Sequence, residues 1–212
     1  MRILVAALAL TAAVATPIVA QQASQFPGSK NAAFVTGGSY TVDPAHSFAT
    51  WNVDHLGFSP LSGMFGEITG TLQLDPKNIA ATKVDVTIHV AKLAVASEAF
   101  KGHLLRPGKD GGKPDFFGAT PADAKFVSTS VTPNGADKAK LTGNLTLNGV
   151  TKPVTLDVEF YGAGKAPAQM GGKENVGFTA TGSVKRSEFG LGMAVPVVSD
   201  ETKLKIVAAF QK

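Results

Sequence analysis

The chain has 212 residues, a formal net charge of +4 and no cysteine. Its 20 lysines and arginines are scattered along the sequence rather than clustered on the kind of basic face that binds nucleic acid, so we expect no nucleic-acid partner. With no disulfide available, a hydrophobic core must stabilise the fold, and a chain of this length can form one.

The first 20 residues have the pattern of a cleavable signal peptide. Arg2 precedes an apolar run from Ile3 to Val14, and small residues then lead to Ala20. The run is too short to span a bilayer, and no stop-transfer flank follows it. We therefore expect cleavage near Ala20 and an exported, soluble mature protein.

Residues 21–38 predict a flexible lead-in. The segment is polar, contains Pro27, Gly28, Gly37 and Gly38, and has few apolar side chains that could offset the entropy of ordering it. The remaining residues, 39–212, suit a single domain.

Two histidines bracket the first predicted strand. Asp43-Pro44-Ala45-His46-Ser47 precedes it, Asp54-His55-Leu56-Gly57 follows it, and Trp51, the only tryptophan, lies in its middle. Residues an odd number apart point to opposite faces of a strand, so His46 and His55 make a poor metal site and a poor catalytic pair. Two interpretations stay open: His46 stabilises the turn that enters the strand, or a histidine hydrogen-bonds a ligand at the mouth of a barrel.

Apolar and polar residues alternate through most of the remaining chain. Val84, Val86 and Ile88, for example, lie on one face of their segment, and polar residues lie on the other. This period of two predicts about eight antiparallel strands, and the turn Asn148-Gly149 indicates a hairpin between two of them. The predicted strands are 47–53, 64–74, 83–90, 125–131, 141–147, 154–161, 175–187 and 202–210.

One segment breaks the alternation. Residues 97–105 predict a short helix with Ser97 as its N-cap, followed by a loop rich in glycine and lysine over residues 106–114. Asp115-Phe116-Phe117 comes next, and the two aromatic rings either pack in the core or gate an apolar cavity.

A meander of about eight strands in one domain favours an all-β sandwich or a closed barrel. We expect the eight-stranded antiparallel barrel, because closure removes exposed edges. Several inward positions are small, which fits either an internal cavity or tight curvature of the sheet. These positions are Gly66, Gly70, Gly143, Ala180, Gly182 and Ala208.

Arg186 shares its parity with the inward residues of the strand that precedes it. A buried guanidinium needs a partner, and a carboxylate, backbone carbonyls or the face of Trp51 would serve. Both a structural role and ligand binding stay open for Arg186.

The sequence has no G-x-S-x-G elbow, no cysteine nucleophile, no H-E-x-x-H motif and no nucleotide-binding glycine pattern. We therefore expect a protein that is not an enzyme and that holds no metal or cofactor. One alternative is a hydrolase or isomerase acting on a lipid-like substrate, with His46 or His55 as the general base. Another is a stress-related or secreted interaction module whose barrel is simply packed.

Taken in order, several pieces resemble the YceI-like family of exported bacterial proteins, and the resemblance covers residues 39–212. They are residues 40–47 (TVDPAHS after Tyr40), 55–59 (HLGFS), 63–66 (GMFG), 103–105 (HLL), 115–117 (DFF), 141–154 (LTGNLTLNGVTKPV) and 186–191 (RSEFGL). The link over residues 106–114 is longer than the family's usual one.

The resemblance implies a lipocalin-like barrel with a long apolar tunnel, a periplasmic location and a long-chain lipid as ligand. We accordingly expect a carrier for an amphipathic lipid, either a polyisoprenoid or an isoprenoid quinone-like molecule. Transient membrane contact and a homodimer stay open. The residues that we expect to contact the ligand are His46, Trp51, His55, Phe65, Val86, Ile88, Leu104, Phe116, Phe117, Phe126, Leu145, Leu156, Phe178 and Arg186.

Overall fold

Antiparallel strands make up most of the computed structural model, which describes residues 26–212. The predicted signal peptide, residues 1–20, lies outside the described residues. The strands are β1 (Gly28–Ser29), β2 (Gly38–Val42), β3 (Phe48–His55), β4 (Ser59–Phe65), β5 (Thr69–Leu74), β6 (Lys83–Ile88), β7 (Leu93–Val95), β8 (Ala124–Pro133), β9 (Lys138–Leu147), β10 (Val150–Lys165), β11 (Glu174–Lys185) and β12 (Glu201–Gln211). The α-helix is α1 (Glu98–Leu105), and short 3-10 helices cover Ala32–Phe34, Ile79–Ala81, Val90–Lys92, Lys109–Gly111, Ala168–Met170 and Arg186–Phe189.

Eight strands close into a ring, in the order β2, β5, β6, β8, β9, β10, β11 and β12. The ring closes where β12 pairs with β2 and where β11 joins β10 to β12. The prediction of an all-β, eight-stranded antiparallel barrel with one short helix is therefore confirmed. Within residues 26–212, no helix is long and apolar enough to cross a membrane.

Two walls of the barrel each consist of two consecutive strands with a break between them, β2 with β3 and β4 with β5. Both β2 and β3 pair with β12, and β5 and β4 run beside them, so β3 and β4 extend the wall towards α1. The predicted strand 64–74 is split because residues 66–68 leave the sheet, where Glu67 adopts a left-handed φ of 52°. The break gives the wall a bend that continuous alternation does not predict.

The matching break in the partner strand is the Asp43–Ser47 turn. Ala45 donates its N–H to Asp43 Oδ1 at 3.1 Å, and His46 Nδ1 lies 2.7 Å from Asp43 Oδ2. Ser47 Oγ donates to the carbonyl of Ala209 on β12 and accepts from its N–H, which replaces backbone pairing where the chain bends. This geometry agrees with the interpretation that His46 stabilises the turn.

Local signals at the helix and the hairpin are confirmed. Ser97 caps α1, since its Oγ accepts a hydrogen bond from the N–H of Phe100 at 3.3 Å. Asn148 and Gly149 have φ angles of 51° and 77°, the two positive values that a type I′ hairpin turn requires.

From residue 26 onward the lead-in contacts the barrel, and its flexibility through Gly38 stays a prediction. β1 pairs with the end of β10, and Lys30 Nζ lies 2.6 Å from Asp137 and 2.5 Å from Glu159. The segment buries little apolar surface, as its composition predicts, but its polar groups have fixed partners far along the chain. We call residues 26–38 the N-terminal strap.

Glu174 fastens the strap at one end of the barrel. Its Oε1 accepts hydrogen bonds from Thr36 Oγ1 at 2.7 Å and from the buried Tyr40 hydroxyl at 2.8 Å, and Lys212 lies 3.5 Å from its Oε2. Partial burial acts to raise the pKa of Glu174, but these hydrogen bonds and the charge of Lys212 outweigh it, so the pKa lies below its ordinary value of 4.5.

Arg186 lies at the other end, where it is 8% exposed. Its guanidinium donates to four backbone carbonyls of the segment between β11 and β12. The acceptors are the carbonyls of Leu191 at 2.5 Å, Met193 at 2.8 Å, Val198 at 2.8 Å and Ser199 at 2.9 Å. Of the three kinds of partner that the sequence allows for Arg186, the structure shows backbone carbonyls. We call segment 190–199 the clamped loop.

We predict that Arg186→Met lowers the free energy of unfolding by about 3–5 kcal/mol, because it leaves four carbonyls without their donor. Urea denaturation measures the loss. The control is Lys185→Met at the exposed neighbouring residue, which should unfold like the unsubstituted protein. Unchanged stability together with lost ligand affinity would show that the guanidinium serves the ligand instead.

We predict that Glu174→Gln removes part of the acid sensitivity of the fold. A carboxylate with a lowered folded pKa stabilises fully above its unfolded value, and its contribution disappears as the pH falls through the folded value. The variant should therefore be less stable than the unsubstituted protein at about pH 7, and the gap should shrink below about pH 4.5. Urea midpoints measured across this range test it, with the exposed Glu188→Gln as control; a gap that is constant with pH would contradict the assignment.

Candidate ligand-binding cavity

A cavity of about 790 Å³ runs through the barrel. At one end its wall includes Val42 and Leu74, beside the buried cluster around Tyr40, and at the other it reaches Phe100 and Leu104 of α1. Nearly all the lining side chains are apolar, because the inward positions of every strand are the apolar half of the alternating pattern.

Many inward side chains keep part of their surface accessible. Leu145, Leu147, Leu204 and Ile206 all line the cavity, yet each is only partly buried. Side chains at such positions in a packed core would be fully buried. The middle of the barrel is therefore a lumen rather than a filled core, with buried clusters on either side of it.

Two glycines of the barrel wall make room for aromatic rings. A Cβ on Gly143 would lie 2.3 Å from the ring of Phe126, and one on Gly63 would lie 2.2 Å from the ring of Trp51. These glycines let the two aromatic rings lie against the wall. Gly70 has φ 136° and a Cβ there would meet the carbonyl of Asp85 at 2.2 Å, so it serves close strand approach, whereas Gly66 lies in the break between β4 and β5.

The cavity reaches the surface beside α1. Its most exposed lining residues, Met193 at 41% and Ala194, both belong to the clamped loop. Aromatic pairs surround this mouth. The ring centroids are 6.4 Å apart in Trp51–Phe100, 5.9 Å in Phe65–Phe117 and 5.2 Å in His103–Phe116.

Phe116 and Phe117 fit both interpretations that the sequence allows. Both pack against the buried cluster around Phe126, and both line the cavity near its mouth. The N–H of Phe117 donates to the carbonyl of Leu104 at 3.1 Å, which ties this segment to α1. Their role as a gate stays a prediction.

The long link before them stays out of the cavity. Arg106 and Asp115 form an ion pair of 2.5 Å across its base, and Gly108 lies close to the carbonyl of Gly112. None of residues 106–115 lines the cavity. The extra length therefore forms a closed surface loop beside the mouth.

Thirteen of the fourteen residues expected to contact a ligand line this one cavity. The exception is His46, whose side chain is 75% exposed and paired with Asp43 outside the barrel. His46 and His55 are thus kept apart, as their spacing predicts. The residues brought together are Trp51, His55, Phe65, Val86, Ile88, Leu104, Phe116, Phe117, Phe126, Leu145, Leu156, Phe178 and Arg186.

Several lining residues escape sequence reasoning. Leu191, Met193 and Val198 lie in the clamped loop, which has no periodicity to follow. Thr202 shares the inward parity of Leu204 on β12, so strand alternation could have found it.

Three buried polar atoms on the lining residues have no hydrogen-bond partner within the described part of the chain. They are Trp51 Nε1, Thr82 Oγ1 and Thr202 Oγ1. Buried polar groups normally have partners, but these three atoms are too deeply buried to be open to the cavity as the side chains stand. Among residues 26–212, no three His, Cys, Asp or Glu side chains lie close enough together to hold a metal ion.

Several solved structures share the fold of this barrel. BcnA of Burkholderia cenocepacia superposes with a TM-score of 0.64 at 26% identity, covering 79% of this chain and 98% of that one. A YceI protein of Campylobacter jejuni superposes with a TM-score of 0.62 at 30% identity, covering 75% and 89%. A polyisoprenoid binding domain from Saccharophagus degradans shares the fold, with a TM-score of 0.55 at 13% identity and coverage of 81% and 97%.

The sequence itself matches over nearly the whole barrel. Protein YceI of Shigella flexneri is 37% identical over 83% of this chain and 88% of its own length, and Protein YceI of Salmonella arizonae is 38% identical over 82% and 88%. The sequence model of the YceI-like domain matches residues 40–210, from the first strand of the ring to the last. The chain therefore belongs to the YceI-like family.

Proposed function

We propose that this protein is a non-enzymatic carrier that holds one long-chain amphipathic lipid in its barrel. The observation that carries the proposal is the continuous apolar cavity of about 790 Å³, which runs from the buried cluster around Tyr40 to the mouth beside α1. Its volume lies within the range of about 300–1,000 Å³ that small-molecule sites occupy.

The shape and chemistry of the cavity favour an extended hydrocarbon chain. Each CH₂ group transferred from water into such a lining contributes about 0.8 kcal/mol, so affinity would rise with chain length. Arg186 lines the cavity, but its guanidinium already donates to four carbonyls and is poorly placed to bind an anionic head group. A polyisoprenoid or an isoprenoid quinone-like molecule fits a cavity that has an apolar lining and, within residues 26–212, no free cationic group for an anionic head. A protein of the same fold, from Saccharophagus degradans, is described as a polyisoprenoid binding domain.

We place the polar end of the ligand near the mouth. His55 and His103 lie on this part of the wall. A neutral imidazole donates through one ring nitrogen and accepts through the other, so these side chains would recognise a carbonyl or hydroxyl group of the ligand. The chain would then extend past Phe126 and Phe178.

The competing hypothesis is a hydrolase or isomerase with His46 or His55 as general base. A general base must lie within hydrogen-bond reach of the proton that it removes. His46 pairs with Asp43 outside the barrel, so only His55 meets a ligand in the cavity. The arrangement favours holding a ligand over reacting with it.

The leader pattern of residues 1–20 supports export, and we propose the periplasm as the location.

We expect protein purified natively from the periplasm of its own host to carry a lipid. Native mass spectrometry should show a bound mass, and extraction followed by lipid analysis should identify an isoprenoid chain. The control is the same protein delipidated with organic solvent and refolded. Repeated purification without any bound lipid, together with no change in Trp51 fluorescence on adding isoprenoids, would contradict the proposal.

We predict that Ala208→Phe weakens binding of long chains about tenfold or more. Ala208 lines the cavity beside Phe178, its partner on the adjacent strand, and a ring there would displace two or more CH₂ groups, each contributing about 0.8 kcal/mol. Titration of Trp51 fluorescence with isoprenoids of increasing length measures the effect, which should be larger for long chains than for short ones.

The matched control is Thr181→Phe, which adds the same ring on the exposed outer face of the neighbouring strand. It should bind every chain length as the unsubstituted protein does. Equal affinity for both variants, each shown to be folded by its melting temperature, would place the ligand somewhere other than the lumen.

A further inference from the structure

We propose that the mouth of the barrel docks on a lipid bilayer through an uncharged apolar patch formed by two neighbouring loops. This inference rests on the proposed function, because it assigns the surface from which the carrier takes its lipid. The patch consists of Leu56, Phe58, Met193 and Val197, and we call it the mouth patch.

The four side chains of the mouth patch are exposed despite being apolar. Phe58 is 88% exposed, Val197 59%, Leu56 44% and Met193 41%. Single exposed apolar residues are common on proteins, but a group of them indicates an interaction surface.

Backbone contacts hold the two loops of the patch side by side. The N–H of Leu56, in the turn between β3 and β4, donates to the carbonyl of Val197 in the clamped loop at 3.0 Å. His55 and Val198 form an isolated β-bridge next to that bond. The patch is therefore one surface that the fold presents as a unit.

The patch is continuous with the cavity. Met193 belongs to both, and His55 and Val198, which also line the cavity, directly adjoin Leu56 and Val197 in the chain. A surface that covers the mouth patch would therefore face the mouth itself.

The backbone donors of the turn at the tip are all paired, and the one charged acceptor among their partners, the exposed Asp54 carboxylate, must remain in water while the apolar side chains enter the bilayer. Leu56 N–H is bound to Val197, Gly57 N–H donates to Asp54 Oδ1 at 2.6 Å, and Phe58 N–H donates to the carbonyl of His55 at 3.1 Å. An unsatisfied N–H in a hydrocarbon environment costs several kcal/mol, so its internal pairing is a condition for entering a bilayer.

The chemistry of the loops favours lipid over a charged partner. Residues 55–66 and 189–199 contain no Lys, Arg, Asp or Glu. The proposed ligand is most soluble in a bilayer, and every CH₂ group that crosses water adds to the cost of the transfer. Contact of the mouth patch with the membrane would let the chain pass into the lumen without that crossing. Because the contact is apolar, it should depend little on salt or on anionic lipid.

The test is flotation with vesicles of phosphatidylcholine and phosphatidylethanolamine that contain no isoprenoid. The protein should float with these vesicles, and raised salt should not release it. The double variant Phe58→Ser/Val197→Ser should partition about tenfold or more weakly, because fully burying an aromatic side chain contributes about 1.5–3 kcal/mol. The control is Met170→Ser, which removes an apolar side chain that is 73% exposed in the 3-10 helix between β10 and β11 and should leave flotation unchanged.

Two outcomes would overturn the docking surface. One is failure of the unsubstituted protein to float. The other is equal flotation of the double variant and the unsubstituted protein; if the double variant also converts a dimer to a monomer, a second copy of the chain is the occupant of the patch.

Ligand binding is measured separately, so that the two proposals can fail separately. Neither substituted side chain lines the cavity, so the double variant should bind isoprenoid supplied from detergent micelles with unchanged affinity, measured by Trp51 fluorescence. It should load more slowly from isoprenoid-containing vesicles. Flotation without any isoprenoid binding would sustain the docking surface and reject the carrier, and binding without flotation would do the reverse.

Discussion

Backbone pairing around the closed ring of eight strands is the constraint on which the rest of this structure depends. A lumen of about 790 Å³ removes from the middle of the domain the dense side-chain packing that normally stabilises a core. Closure compensates, because it leaves no unpaired edge in the ring and buries apolar clusters above and below the lumen. The stability of the fold therefore resides in its wall and its two ends, and this leaves the interior free for a ligand.

The two ends are fastened by opposite chemistry. At one end the carboxylate of Glu174 gathers donors from the N-terminal strap, from β2 and from the C-terminal Lys212. At the other the guanidinium of Arg186 gathers carbonyls of the clamped loop. The first arrangement joins the N-terminal strap to Lys212 beside the buried cluster around Tyr40. The second holds an irregular loop as a rim, and that rim carries Met193 at the mouth.

The period of two predicts the barrel, and strand parity predicts which side chains face its interior. Parity correctly predicts that Phe126 and Leu156 line the cavity, because alternate side chains of a regular strand point to opposite faces of the sheet. It cannot find the strap, whose contacts with the barrel depend on Lys30 meeting Asp137 and Glu159 more than one hundred residues later. Nor can it resolve the break at residues 66–68 or the clamped loop, because neither follows a strand period.

The histidine motif shows why family resemblance and function must be separated. Asp43-Pro44-Ala45-His46-Ser47 is part of the pattern by which the sequence resembles its family, yet its polar groups bond to one another and, through Ser47, to Ala209. It bends the first strand so that β3 can extend the wall towards the mouth. The residues proposed to contact a ligand lie further along that wall, where Gly63 lets the ring of Trp51 lie flat beside the lumen. A substituent at Gly63 would displace that ring by contact, so a residue with no side chain governs where the only tryptophan of the cavity can lie.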